Sequence, residues 1–396
     1  MTSLNNTISN NTLCVYPWIH LHAWADGKAF PCCMFDCEQP IGNIKNNSIN
    51  DTINSPLIKT IRKNMIEGKE TSGCEKCYKL ESLGQPSMRT DGFKYYLDWK
   101  EITSMTNSDG GVDDFQLRYL DIRYSNLCNF ACVTCSPTFS SKWVNDWKKL
   151  QKIVYHEENL RLDVWEQLQP YLMTVANVNF AGGEPLLMED HWKIMNYWIE
   201  HNKTNQSINY TTNLSELEFK GQHVIDLWTK FKNITLLVSV DGCKEVGEWI
   251  RWGQKWERLL YNLNLIKTKC PTINIQITPT VSVFNILNLF ETQRLLYDHA
   301  KILPNQWQLN ILAFPHHLQM HHVPDTVKEE FKTLYDIHKV WLIKNKLTDN
   351  MFDSINKNLN QISDPTEFQK AVYYAKQLDS IRGTDSLNII PHLKLI

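Results

Sequence analysis

The sequence has no apolar run long enough to cross a bilayer, and its opening stretch, MTSLNNTISNNT, lacks the basic and apolar segments of a secretion signal. It also lacks an excess of one charge. Its 41 Lys and Arg stand against 43 Asp and Glu, a net charge of −2, which argues against a global nucleic-acid or membrane footprint. No phosphate-cradling loop, nucleophile elbow or internal repeat is present. What remains is a chain with 42% hydrophobic and 21% charged residues, the balance of a globular protein. The expectation is a cytoplasmic protein with a short polar leader.

Cysteine, by contrast, is abundant, at 11 residues. In a reducing compartment these thiols should not form a disulfide framework, and clustered thiols there hold metal. The clusters are Cys14; Cys32, Cys33 and Cys37; Cys74 and Cys77; and Cys128, Cys132 and Cys135 in SNLCNFACVTCSP. Cys243 and Cys270 stand alone and read as small buried apolar residues. Thiolates select zinc, copper(I) or iron–sulfur clusters. The last trio is one ligand short of a closed tetrahedral zinc site. A [4Fe–4S] cluster takes one thiolate per iron, so three would leave one iron open for chemistry.

From about residue 112 strand-like runs alternate with amphipathic helical ones. The strands read as LRYLDIRYS, ANVNFAGGEP, SINYTTNLS, ITLLVSVDG, TINIQITPTVS and QWQLNILAFP. Six β/α units imply a parallel sheet, and a partial (β/α)6 TIM-like barrel fits the count. Ligands gather at the carboxyl ends of such strands, where the cysteine trio, GGEP, TTN and SVDG fall. The expected division is a small cysteine-rich domain at 1–105, the barrel at 112–323 and a helical C-terminal extension at 324–396. TNSDGGVDD reads as a linker.

The spacing CNFACVTC resembles the C-x3-C-x2-C signature of the radical S-adenosylmethionine (radical SAM) enzymes. That resemblance implies a [4Fe–4S] cluster on Cys128, Cys132 and Cys135, with its open iron chelated by S-adenosylmethionine. It implies reductive cleavage to a 5′-deoxyadenosyl radical that abstracts hydrogen from a substrate. It further implies that Gly182, Gly183 and Glu184 hold the SAM amino group; Asn213, Ser239 and Asp241 offer polar groups suited to its ribose hydroxyls or its polar end. Arg251 matches an arginine that pairs with the SAM carboxylate. Read by themselves, Ser239 and Asp241 could instead cap a helix, and Arg251 could be a surface residue. Thr134 stands where relatives commonly carry an aromatic against adenine, and Phe130 is the neighbouring ring.

Residues 14 to 77 resemble the twitch and SPASM auxiliary-cluster domains, here placed ahead of the barrel rather than after it. The resemblance implies a second [4Fe–4S] cluster on Cys14, Cys32, Cys74 and Cys77, with Cys33 able to replace Cys32 and Cys37 spare. Closed by four thiolates, such a cluster would move electrons. A zinc site that only staples the small domain is the alternative. The implied partners are a low-potential flavodoxin- or ferredoxin-like donor and a substrate, expected to be a peptide or protein. A carbohydrate or nucleotide substrate, or a non-catalytic electron carrier, stays open. His316, His317, His321 and His322 read as a rim loop rather than a metal site.

Overall fold

The computed structural model describes residues 12–82, 84, 86–92, 99–151 and 160–395. The expected polar leader lies almost wholly outside them. The chain forms two compact units. One comprises Met1–Ser125, Leu160–Gly182 and Glu189–Ile208; the other comprises Asn126–Asn159, Gly183–Met188 and Asn209–Ile396.

In the first unit, β1 (His20–Ala23) and β2 (Lys28–Phe30) form an antiparallel hairpin, and β3 (Gly42–Asn43) continues it. Gly27 makes the turn with φ at 88°, and a Cβ there would lie 2.2 Å from the Asn43 side-chain oxygen. On its other edge β1 pairs in parallel with β4 (Tyr119–Ile122), which pairs in parallel with β5 (Asn177–Phe180). The helix Pro56–Ile66 follows Ser55 and turns Ile58, Ile61 and Met65 inward. Arg62 on the same face is fully buried and donates to the Pro17 carbonyl through Nε (2.9 Å) and Nη2 (2.7 Å). Its Nη1 reaches the Gly110 carbonyl at 3.3 Å. TNSDGGVDD is therefore a docked turn: Lys59 pairs with Asp109, and Asn54 bonds Val112 through both its side-chain oxygen and nitrogen.

From β6 (Ser207–Thr212), whose residues from Asn209 on belong to the second unit, a tight hairpin of β7 (Glu218–Phe219) and β8 (Gln222–His223), β9 (Asn233–Val238) and β10 (Asn274–Ile277) follow in order. The sheet order here is β10-β9-β6, with β9 and β10 parallel. Alternate residues of β9 and β10 are buried, so one face of this sheet is covered. The sixth expected strand, QWQLNILAFP, is present but short. Trp307 bridges Ile277 of β10 in parallel, and β12 (Asn310–Ile311) pairs in parallel with β11 (Thr280–Val281). Both β12 residues are exposed, so nothing there rewards a longer strand. Long helices at Asp325–Lys344 and Pro365–Arg382 make up the C-terminal region.

Candidate functional site

The cysteine trio sits on a loop pinned from several sides. Ala131 N–H donates to the Trp252 carbonyl and Val133 N–H to the Ile250 carbonyl, each at 2.8 Å. Trp143 Nε1 donates to the Cys132 carbonyl (2.6 Å), and Ser140 Oγ donates to the Phe130 carbonyl (2.5 Å). From the C-terminal helix, Arg382 Nη2 donates to the Ala131 carbonyl (2.8 Å) and Tyr374 to the Val133 carbonyl (3.2 Å). Burial raises the pKa of all three thiols, Cys135 to about 12; Cys132 adds to the shift at Cys128 and Cys135. A metal group that takes the thiolates reverses that penalty and releases their protons.

GGEP lies against this loop. Glu184 N–H donates to the Leu127 carbonyl at 2.8 Å. A Cβ on Gly183 would lie 2.1 Å from that same oxygen, so only glycine fits. Gly182, at φ 129°, falls in the other compact unit. The Glu184 carboxylate is 1% exposed and accepts from Thr212 Oγ1 (2.7 Å), Asn213 N–H (2.7 Å) and Leu186 N–H (3.2 Å). Burial still pushes its pKa up to about 7. Ionised, it is an anionic acceptor held in place by neutral donors, suited to an ammonium group.

Three other expected SAM contacts are engaged within the protein. Asn213 Nδ2 donates to Asn129 Oδ1 (2.9 Å), and Asn213 Oδ1 accepts from Ser215 N–H and Oγ. Asp241 is fully buried, with one oxygen on Arg251 Nη1 (2.8 Å) and the other on Thr280 N–H (2.7 Å). Asp241 thus positions Arg251 and does not cap the following helix, whose N-cap is Cys243. Arg251 is a buried cation rather than a surface residue, and its Nε has no hydrogen-bond partner. Burial opposes its charge, but Cys132, Asp241 and Cys128 more than offset this and raise its pKa. Ser239 is half-buried at the end of β9, its backbone N–H on the Thr212 carbonyl. Phe130 is 2% exposed with the Arg251 guanidinium 5.9 Å from its ring centre, so it is not an open stacking face.

In the first unit, Cys14, Cys32, Cys74 and Cys77 line one pocket with Tyr16, Phe35, Met88 and Arg89. Burial raises the pKa of Cys14, Cys32 and Cys74, the last to about 12. Cys33 does not line this pocket; its Sγ faces Met88 Sδ at 3.6 Å. Cys37 is exposed beside Glu38. Among the described residues no three thiols lie mutually within 4.8 Å. A tetrahedral zinc ion with Zn–S near 2.3 Å would bring its sulfurs to about 3.8 Å of one another. The donor sets, three thiols on one loop and four in one pocket, fit cluster ligation.

One cluster escaped the sequence reading. His20, His22 and Asp121 are buried with ligand atoms within 4.8 Å of one another. Trp24 Nε1 donates to His22 Nε2 (3.0 Å), so the proton of His22 sits on Nδ1, 3.0 Å from Asp121 Oδ2. His20 Nδ1 is 2.8 Å from the Tyr119 carbonyl. Both His22 nitrogens are thereby committed, which makes the trio a poor metal site. Two bare acceptors remain, His20 Nε2 and Asp121 Oδ1. Burial lowers the pKa of His20 to about 4. Burial alone would raise that of Asp121, but the His22 contact outweighs it and brings it to about 2. The alternation of WIHLHAW was the signal: His20 and His22 share one strand face. The four rim histidines form no such group; His322 Nδ1 accepts from Asp364 N–H at 3.1 Å.

Comparison with known proteins agrees with these motifs. Residues 122–291 match the radical SAM superfamily model, and residues 14–78 match SPASM, an iron–sulfur cluster-binding domain. An S-adenosylmethionine-dependent nucleotide dehydratase from Selenomonas ruminantium is 24% identical over 175 residues, 42% of this chain and 57% of that protein. Among solved structures, Streptococcus suis SuiB bound to S-adenosylmethionine is 15% identical, with 74% of this chain and 61% of that chain covered at a TM-score of 0.38. The corresponding figures for anSMEcpe with bound AdoMet are 17%, 60%, 64% and 0.40. The chain thus spans under two thirds of each. With a three-thiol loop braced beside GGEP and a separate four-thiol pocket, the chain carries a radical SAM superfamily domain over residues 122–291 and, ahead of it over residues 14–78, a SPASM iron–sulfur cluster-binding domain.

Proposed function

We propose that the protein cleaves S-adenosylmethionine reductively, abstracts hydrogen from a substrate, and uses the SPASM-domain cluster to move an electron. The observation that supports this most is the pinned Cys128–Cys132–Cys135 loop, one ligand short of closing a cluster, beside the buried Glu184 carboxylate. With its cluster and S-adenosylmethionine bound, that loop would support radical chemistry. Glu184 holds the ammonium end, and Arg251, oriented by Asp241, offers its remaining donors to the carboxylate end. Gly183 keeps the approach clear of side chains. Cys14, Cys32, Cys74 and Cys77 hold the second cluster.

The substrate we favour is a peptide or protein. The similarity to a nucleotide dehydratase favours a nucleotide as the second reading. Anaerobic reconstitution should load about eight irons per chain. Dithionite and S-adenosylmethionine should then yield 5′-deoxyadenosine. Full iron loading without any cleavage would leave an electron carrier instead. Deuterium transfer into 5′-deoxyadenosine from labelled peptide or nucleotide pools separates the two substrate classes.

A further inference from the structure

The four-thiol pocket has a built-in cation. Arg89 lines it beside the cysteines and is 7% exposed. Its Nη1 donates to the carbonyl of Leu13, the residue before Cys14, at 2.9 Å. Its Nε donates to Glu81 Oε1 at 2.9 Å, and its Nη2 pairs with Glu81 Oε2. Glu81 also accepts from the Ser87 hydroxyl. The guanidinium therefore faces the thiols on one side and a carboxylate on the other. Other charges stand differently. Glu75 turns its carboxylate onto Gly73 N–H, and Asp121 and Arg123 act on Cys33.

Adding an electron to a cluster held by four thiolates makes it more negative. A buried cation beside it favours the reduced state and a nearby anion opposes it; both effects are large where water is excluded. We propose that Arg89 and Glu81 jointly set the reduction potential of the SPASM-domain cluster, Arg89 raising it and Glu81 limiting the rise. The pair would then be positioning residues that make this cluster an electron acceptor. The inference rests on Cys14, Cys32, Cys74 and Cys77 being the ligands.

The test is an equilibrium redox titration of the full chain, reconstituted without oxygen and followed by electron paramagnetic resonance. A Cys132→Ala background removes the barrel cluster's signal. Arg89→Gln should shift the couple about tenfold toward the oxidised form at fixed potential, about 59 mV for one electron, in the negative direction. Glu81→Gln should shift it positively, and Arg89→Lys should stay near the parent. Two shifts of the same sign, or none, overturn the proposal. If Arg89→Gln fails to hold iron, Glu81→Gln decides alone: a positive shift supports the pair's role and an unchanged potential ends it. Iron analysis of Cys74→Ala checks the ligand assignment separately. Iron fully retained there refutes that assignment without touching the measured shifts.

Discussion

The two cysteine pockets solve different problems with the same ligand. The pocket at Cys14, Cys32, Cys74 and Cys77 has four thiols and one buried cation, Arg89, whose charge is partly spent on Glu81. The loop at Cys128, Cys132 and Cys135 has three thiols, with two buried arginines close by. Arg251 is held by Asp241, and Arg382 by Asp146 at 2.9 Å. On the proposed assignment, the first arrangement would saturate a cluster and adjust its charge. The second would leave one iron for S-adenosylmethionine and spend its polar groups on shaping what enters. Completeness of the ligand set, rather than the thiols themselves, would then separate electron storage from chemistry.

The sharpest break between them should come from the ligands. Cys132→Ala is expected to abolish 5′-deoxyadenosine formation and to halve the iron content, leaving the other cluster's absorbance. Cys74→Ala should keep cleavage while blocking substrate turnover. Quantitative product analysis beside iron counting reads both, and loss of cleavage in Cys74→Ala would erase the distinction. Next in size is Glu184→Gln. Removing a charge-assisted contact worth about 1.5–3 kcal/mol should weaken S-adenosylmethionine binding roughly 10–100-fold. The Glu184 pKa is raised to about 7. Its carboxylate is therefore lost as pH falls through 7 in the free protein. Affinity should decline over that range in the parent and stay flat in the variant, as calorimetric titration can show.

Arg382→Ala should act more mildly. It removes the bond to the Ala131 carbonyl and the cation between Trp143 and Trp252, 5.0 and 5.4 Å from their ring centres. A loss of about 1–3 kcal/mol in stability is expected. Faster iron loss from the barrel site should accompany it, with the SPASM-domain iron unaffected; chelator-challenge kinetics would resolve the two pools. Smallest of all is Cys33→Ala, which should leave iron content and cluster spectra unchanged, whereas Cys32→Ala should empty its pocket. The reverse result would exchange the two residues.

Much of this architecture was legible because it is local. The C-x3-C-x2-C spacing, the glycines of GGEP and the alternation of strands and amphipathic helices each occupy one short window. What was illegible pairs residues far apart without a period. Arg382 reaches Ala131 across 251 positions, and His22 meets Asp121 across 99. Glu81 and Arg89 lie close in sequence, but their spacing has no repeat that separates a buried pair from two surface charges. The sixth strand is shorter than its sequence suggests because its apolar residues, Ile311 and Phe314, look buried by composition and are exposed in the fold. TNSDGGVDD misled in the opposite sense: a turn-rich stretch reads as a linker unless one knows that Arg62 and Asn54 are waiting for its carbonyls.

Arg382 carries a consequence for the order of biogenesis. Every thiol of the first pocket, together with Arg89, lies within residues 14–89. The Cys128–Cys135 loop draws part of its bracing from Arg382 and Tyr374, 251 and 241 positions further along. On the proposed assignment, a nascent chain would have the donors for its electron store early in translation, whereas the loop proposed to hold the reactive cluster would be fully braced only once the helix Pro365–Arg382 is made.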